Sequence, residues 1–165
     1  MAQADFFLKI DGIKGESKDK SNNEELQISS WSFGATNSGS AGIGGGSGAG
    51  KVNMQDFHFT VQNSKASANL LVACASGEHI KEAVLTCRKP TGKDGGQMPY
   101  LIVTFNDIVI SSYQVGGSDG SGVLPMDQIS FNFTKIKMES KVQDEKGIIK
   151  SGGVGGWDTK ANKKV

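Results

Sequence analysis

Apolar and polar side chains alternate along most of the chain with a period of two, the repeat of a β-strand. Phe6, Leu8 and Ile10 share one face, with Phe7, Lys9 and Asp11 on the other. Leu26 and Ile28 begin a second strand, after which the bulky positions move to Trp31 and Phe33. The same change of parity separates Val52 and Met54 from Phe57, Phe59 and Val61, and Ile129, Phe131 and Phe133 from Ile136 and Met138. One extra residue turns every later side chain to the opposite face, so each slip predicts a β-bulge or a bend. Repeated slips suit strands that curve around a closed or nearly closed barrel. Ala83–Arg88, Tyr100–Phe105, Val109–Val115 and a short piece around Ile148 are further strands.

Residues 64–77 depart from this rhythm. Ala66, Leu70, Ala73 and Cys74 recur at helical spacing, with Ser64 placed to cap the first turn and Gly77 to end the last. One helix of about three turns is expected to plug one side or end of the barrel. A second departure is the glycine- and serine-rich run 38–50, whose one large side chain is Ile43; no charge occurs between Leu26 and Gly50. Only 37 residues precede this run, too few to form a domain of their own. It therefore reads as a long extended loop inside one domain, and such loops are usually functional or disordered. The expectation is an arm that orders against a partner, with Ile43 as its anchor.

The 165 residues fit a single domain, 1–165, and are too short for a TIM barrel. The 23 glycines are about twice the usual share, and the arm accounts for much of that excess. A net charge of +1 argues against a nucleic-acid-binding protein. Residues 159–165 form a mildly basic tail, expected to be flexible. No apolar run reaches the roughly 18 residues of a membrane span, and the N-terminus carries an acid where a signal peptide carries positive charge. Cys74 and Cys87 read as reduced, buried core thiols.

Familiar chemistry is approached and missed. Gly45 to Val52 is nearly a phosphate-binding loop, but Val52 stands where Ser or Thr would bind magnesium, and a strand follows where a helix should begin. Gly44, Gly46 and Ala49 match a dinucleotide fingerprint with the same defect. Cys74, Cys87, His58 and His79 lack the spacing of a structural zinc site. A Cys74–His79 nucleophile and base would need an exposed thiol. Asp56, Asp107 and Asp127 lie in or beside strands, with nothing in the sequence to pair them. No catalytic, cofactor-binding or metal-binding residue is assigned.

The order and spacing of several segments resemble the haemolysin-coregulated protein family, the tube subunit of bacterial type VI secretion. They are Phe7–Ser17 with its Lys14-Gly15-Glu16-Ser17 turn, Ile28–Gly34, and the glycine-rich loop ending Gly48-Ala49-Gly50-Lys51-Val52. Ser76-Gly77-Glu78-His79 after the helix, the late strand Ile129–Met138, and Gly155-Gly156-Trp157-Asp158 complete the set. Met138-Glu139-Ser140 departs from the aromatic pair that the family often carries there.

The resemblance implies a mainly β fold, a bulged antiparallel β-barrel with one flanking helix. It implies homohexameric rings stacked into a tube that carries effector proteins in its lumen. The implied partners are a trimeric spike, a contractile sheath and a baseplate, with no nucleic acid and no membrane insertion. The subunit would be cytoplasmic before assembly and then exported without a signal peptide. Within this picture Ser38, Gly39, Ser40, Ile43, Gly44, Gly45, Gly46, Gly50 and Lys51 form the ring-stacking loop. Ser30 and Ser32 share a parity opposite to Trp31 and Phe33, and Ser32 is the candidate lumen contact. The competing class is a monomeric β-barrel that binds a carbohydrate or a peptide, with the glycine loop as its lid.

Overall fold

A computed structural model describes residues 4–39, 51–91, 96–120, 122 and 124–165. Among them lie β1 (Asp5–Ile10), β2 (Leu26–Ile28), β3 (Ser30–Ser32), β4 (Ala35–Asn37), β5 (Val52–Met54) and β6 (Phe57–Gln62). Helix α1 (Ser67–Ser76) follows, then β7 (Ile80–Pro90), β8 (Gln97–Gly116), β9 (Met126–Asn132), β10 (Lys135–Gln143), β11 (Ile149–Asp158) and β12 (Lys163–Lys164). A large antiparallel sheet runs β12-β11-β10-β8-β7-β1-β2, and a small one runs β3-β6-β9-β8.

The two sheets share β8. Its first half pairs with β7 and β10, and its second half, from Val109 to Gly116, pairs with β9. The change of sheet comes at Asp107, whose φ of 53° is uncommon for a residue with a side chain. Thr134 fixes the bend by donating through Oγ1 to the Asp107 carboxylate (2.9 Å) and through its backbone N–H to the Asn106 carbonyl (3.1 Å). Tyr100–Phe105 and Val109–Val115 are thus halves of one bent strand.

A second corner lies at Ser29, where the chain leaves β2 and its pairing with β1, and the Ser29 N–H reaches the Thr60 carbonyl of β6 at 2.8 Å. The pairing runs from β1 through β2, across Ser29 into β3, then through β6, β9, β8 and β7 back to β1. Among the described residues the fold is mainly β with a single helix, as the alternation and the helical spacing in 64–77 predict. The barrel is not closed, because the ladder breaks at Ser29, and β10, β11 and β12 run on beyond it.

The three parity slips mark these changes of strand rather than bulges within strands. They fall at Ser29, at Gln55–Asp56 between β5 and β6, and at Phe133–Thr134 between β9 and β10. The register shifts lie elsewhere, at Cys87/Arg88, Ile110/Ser112 and Ser140/Lys141. Ile148 sits in the turn before β11. Residues 159–165, expected as a flexible tail, make a turn in which Asp158 accepts from the Ala161 N–H (2.9 Å), and β12 then pairs back on β11.

Both sheets contribute aromatics to the core. Phe57 of β6 lies 4.9 Å, centroid to centroid, from Phe105 of β8 and 4.9 Å from Phe131 of β9. Phe105 and Phe131 meet edge to face at 5.1 Å, and Trp31 stacks over Phe57 at 6.2 Å. Such ring pairs add about 0.5–1.5 kcal/mol each beyond the area they bury.

Helix α1 covers this core with Leu70 and Ala73, and Gly77 ends it in the left-handed conformation (φ 66°). Ser64 is not the cap. Its Oγ accepts from the Ala66 N–H in the turn before the helix, and Ala66 holds the cap position without a side-chain acceptor. The anchor is instead Asp127 of β9, fully buried, which accepts from Ser67 Oγ and from Asn63 Nδ2 (3.1 Å). An anion beside the first turn of a helix is electrostatically favourable.

The Lys14–Ser17 turn is pinned from two sides. A side chain at Gly15 would place its Cβ 2.4 Å from the Glu25 carbonyl oxygen. Arg88 donates to both oxygens of Asp19 at 2.9 Å, lies over the Phe7 ring at 4.5 Å, and holds the Asp19 carboxyl below the usual carboxylate range.

Phe57→Ala removes the ring that touches both sheets and should cost about 3–5 kcal/mol of folding free energy. Urea unfolding measures this, and a loss below about 1 kcal/mol would show that the two sheets do not depend on a shared aromatic core.

Candidate functional site

The alternation that buries Phe57, Phe59, Ile129 and Phe131 and packs half-buried Trp31 against them turns the intervening residues of the small sheet to its other face. Strand register arranges them in two rows across all four strands. One row is Ser32, His58, Ser130 and Ser112; the other is Ser30, Thr60, Gln128 and Gln114. Neither row holds a Lys, Arg, Asp or Glu. The Ser30 and Thr60 hydroxyls are 2.6 Å apart, and Ser130 bonds the hydroxyls of Ser111 (2.8 Å) and Ser112. Ser30, Ser32, His58, Thr60, Ser112, Gln114 and Gln128, together with Trp31, Phe59 and Ile129, line a shallow, open groove of about 450 Å³, and Ser130 is buried.

Ser32 is exposed on this face, opposite His58. The turning of Trp31 inward and Ser32 outward agrees with the sequence parity. Parity places Ser30 beside it, but sequence reasoning did not assemble the other six. Each sits in the polar phase of its own strand, but strand order, which aligns the four phases into rows, is not written in local alternation.

The arm is described only at its root. β4 and β5 form a separate two-stranded ribbon with Ala35 opposite Met54, Thr36 opposite Asn53 and Asn37 opposite Val52. Ser38, Gly39 and Lys51 are exposed where the ribbon ends, and the Gly39 N–H donates to Asn37 Oδ1 at 2.8 Å. Ser40, Ile43, Gly44, Gly45, Gly46 and Gly50 lie outside the described residues.

The polar chemistry elsewhere is dispersed. Among the described residues no three His, Cys, Asp or Glu side chains converge as metal ligands. Asp56 accepts from Ser111, Asp107 from Thr134, and Asp127 from Ser67, in three separate places. Cys87 is fully buried, and burial pushes its thiol up to about 11, against the hydrogen bonds of Tyr100 and Trp31. Cys74, expected in the core, is only half-buried, because it lies at the margin of the stripe formed by Ala66, Leu70 and Ala73.

Residues 7–139 match the family described as type VI secretion system effector, Hcp. The chain is 42% identical to the protein hcp1 of Pseudomonas aeruginosa over 159 residues, 96% of each protein. The structure of Hcp1 from Salmonella typhimurium superposes over the whole of both chains with a TM-score of 0.80 at 33% identity. A structure described as a type six secretion system protein reaches 0.88 at 27% identity, covering 99% of this chain and 100% of its own. A type VI secretion system effector from Yersinia pestis gives 0.72 at 30% identity over 93% and 99% of the two chains.

The two thiols should separate in a labelling experiment. Cys87 should resist an aromatic disulfide reagent until the protein unfolds, because burial both shields its thiol and raises its pKa, and half-buried Cys74 should react first. Labelling of Cys87 in the native protein as fast as Cys74 would contradict the packing of β7 against Tyr100 and Trp31.

Proposed function

The chain belongs to the Hcp family of type VI secretion system proteins, and on that footing we propose that it is a tube subunit, six copies to a ring and rings stacked, with the small sheet facing the channel. The observation that carries this reading is the pair of uncharged polar rows across β3, β6, β9 and β8. A channel that passes diverse polypeptides needs weak, exchangeable contacts. Hydroxyl and amide groups in water supply hydrogen bonds of modest net strength. A charged lining would hold cargo of opposite charge and repel cargo of like charge.

Ring closure needs two different surfaces on each copy. The small sheet offers two edges without a strand partner among the described residues: β3 pairs only with β6, and the second half of β8 only with β9. Unpaired strand edges are templates for another chain. The β4–β5 ribbon pairs apart from both sheets and ends at exposed Ser38 and Lys51, which suits an arm that reaches the next ring. The spike, sheath, baseplate and lumenal effectors are the remaining partners of this reading, and export follows assembly. The open shape of the groove supports a channel wall over a carbohydrate or peptide pocket, since pockets are concave and mostly apolar.

Ser32→Gln adds bulk on the channel face without touching the core. It should leave the ring mass at six times 17.4 kDa while weakening retention of a lumenal effector in pull-down. Retention by the unmodified ring should change little between roughly 0.05 and 0.5 M salt, because the contacts carry no charge. Unaltered retention by the Ser32→Gln ring would remove Ser32 from the channel wall.

Replacing residues 38–50 by a tight turn should keep the barrel and the ring, yet abolish stacking and export. Freezing so glycine-rich a segment costs roughly 1–2 kcal/mol per residue and is repaid only by contact with a neighbour. Normal export of the shortened protein would show that the arm has no such contact.

A further inference from the structure

His58 and His79 are the two histidines of the chain. His79 lies between α1 and β7, outside the polar rows. His58 is exposed on the small sheet and is the only titratable side chain lining its groove among the described residues. The strands around it bring no charge: β3 supplies Ser30 and Ser32, β9 supplies Gln128 and Ser130, and β8 beyond supplies Ser112 and Gln114. Two residues before His58 comes half-buried Asp56, which does not line the groove and accepts from Ser111.

That bond sets the direction of the hydroxyls on one side of the imidazole. A hydroxyl has one proton to donate. Ser111 gives its own to Asp56, so Ser130 donates in the 2.8 Å bond to Ser111, and Ser112 donates in turn to Ser130. The register shift between Ile110 and Ser112 brings both β8 hydroxyls to Ser130. These protons all run toward Asp56. Ser112 therefore meets a group in the groove as an acceptor, and its proton is not placed for removal by His58 as a nucleophile's would be.

On the other side the donors are free. Ser32 stands directly opposite His58, and such cross-strand neighbours have Cβ atoms roughly 5 Å apart. Neither side chain has a hydrogen-bond or ion-pair partner among the described residues. An imidazolium N–H beside a serine O–H makes a seat for a carboxylate, and the bond from the charged ring is about twice as strong as a neutral one. Imidazole takes up its proton within about pH 5–8 and carboxylates stay ionised down to about pH 4, so in mildly acidic surroundings the two are oppositely charged.

We propose that His58 and Ser32 form a carboxylate-binding site on the channel face, which holds acidic segments of a polypeptide cargo in mildly acidic surroundings and releases them as the medium turns alkaline. The site rests on the tube reading above and adds to it a selection by charge. At neutral pH the face keeps the uncharged contacts already described, and at lower pH its hold on acidic cargo becomes sensitive to salt. Stacked rings repeat the seat around and along the channel, so a segment long enough to reach several is held more tightly than one seat would hold it.

A short rhodamine-labelled peptide of cysteic acid tests this, because its sulfonates stand in for carboxylates and keep their charge throughout the range. Fluorescence anisotropy with the purified protein at low salt should show binding roughly tenfold tighter at about pH 5.5 than at about pH 8. His58→Gln should bind weakly at both values, and His58→Lys should bind tightly at both. His79→Gln should behave as the unmodified protein does. Equal binding at the two values, a pH response that survives His58→Gln, or one that is lost in His79→Gln would overturn the proposal. Sedimentation of the same samples separates the two readings. A six-copy mass found with any of those results would remove this site and leave the ring standing, whereas a monomer would remove the channel face that both require.

Discussion

One strand belongs to two sheets, and the rest of the molecule follows from that constraint. Because β8 bends at Asp107, Phe105 faces the same interior as Phe131 and Phe57, which stand on strands of the other sheet. The aromatic cluster can form only if the bend is made, and the bend is held only where Thr134 reaches across to Asn106 and Asp107. With the interior thus closed on one side, each sheet is left with one outward face. The small sheet presents hydroxyls and amides, and the large sheet runs on into the β10–β11 extension.

Electrostatics sorts these surfaces by the work proposed for them. The rows on the small sheet hold no formal charge, so contacts there are short-ranged and insensitive to salt. Charge that the fold does use is tied down locally, as in the bidentate Arg88–Asp19 pair that fastens the Lys14–Ser17 turn to β7. Arg88 is buried and lies 3.6 Å from Asp5 as well, whereas Asp19 stays partly exposed, so the cation keeps a counter-charge within the fold. The basic excess is gathered instead in residues 159–165, where Lys160, Lys163 and Lys164 follow β11 and return on it through β12. A molecule with a near-neutral total and an uneven distribution can crowd into an ordered assembly while each copy still distinguishes one end of its neighbour from the other.

Strand content and the single helix were legible because alternation and helical spacing are local signals. The parity slips were also real signals, but their cause was not local. A slip reads the same whether one residue bulges or the chain turns a corner into another sheet, and only the partners of β2, β3 and β8 tell the two apart. Helix capping misled for a related reason. Ser64 had the right chemistry two residues too early, and the group that anchors the helix, Asp127, lies 60 residues beyond Ser67. Ser32 was legible because Trp31 and Phe33 fix its parity, while His58, Thr60, Ser112, Gln114, Gln128 and Ser130 became neighbours only through strand order. Cys74 shows the limit of a stripe read from spacing: its angular position is right, but the edge of the covering layer is not encoded in the helix itself.

The central claim is that this chain forms a ring whose channel is walled by the small sheet. A cryo-electron microscopy reconstruction of the purified protein tests it most directly. The account predicts a six-fold ring in which Ser30, Ser32, Thr60 and Gln128 face the central opening and the β10–β11 hairpin lies away from it. A monomer, or a ring that presents those four side chains to its outer surface or buries them between subunits, would contradict it.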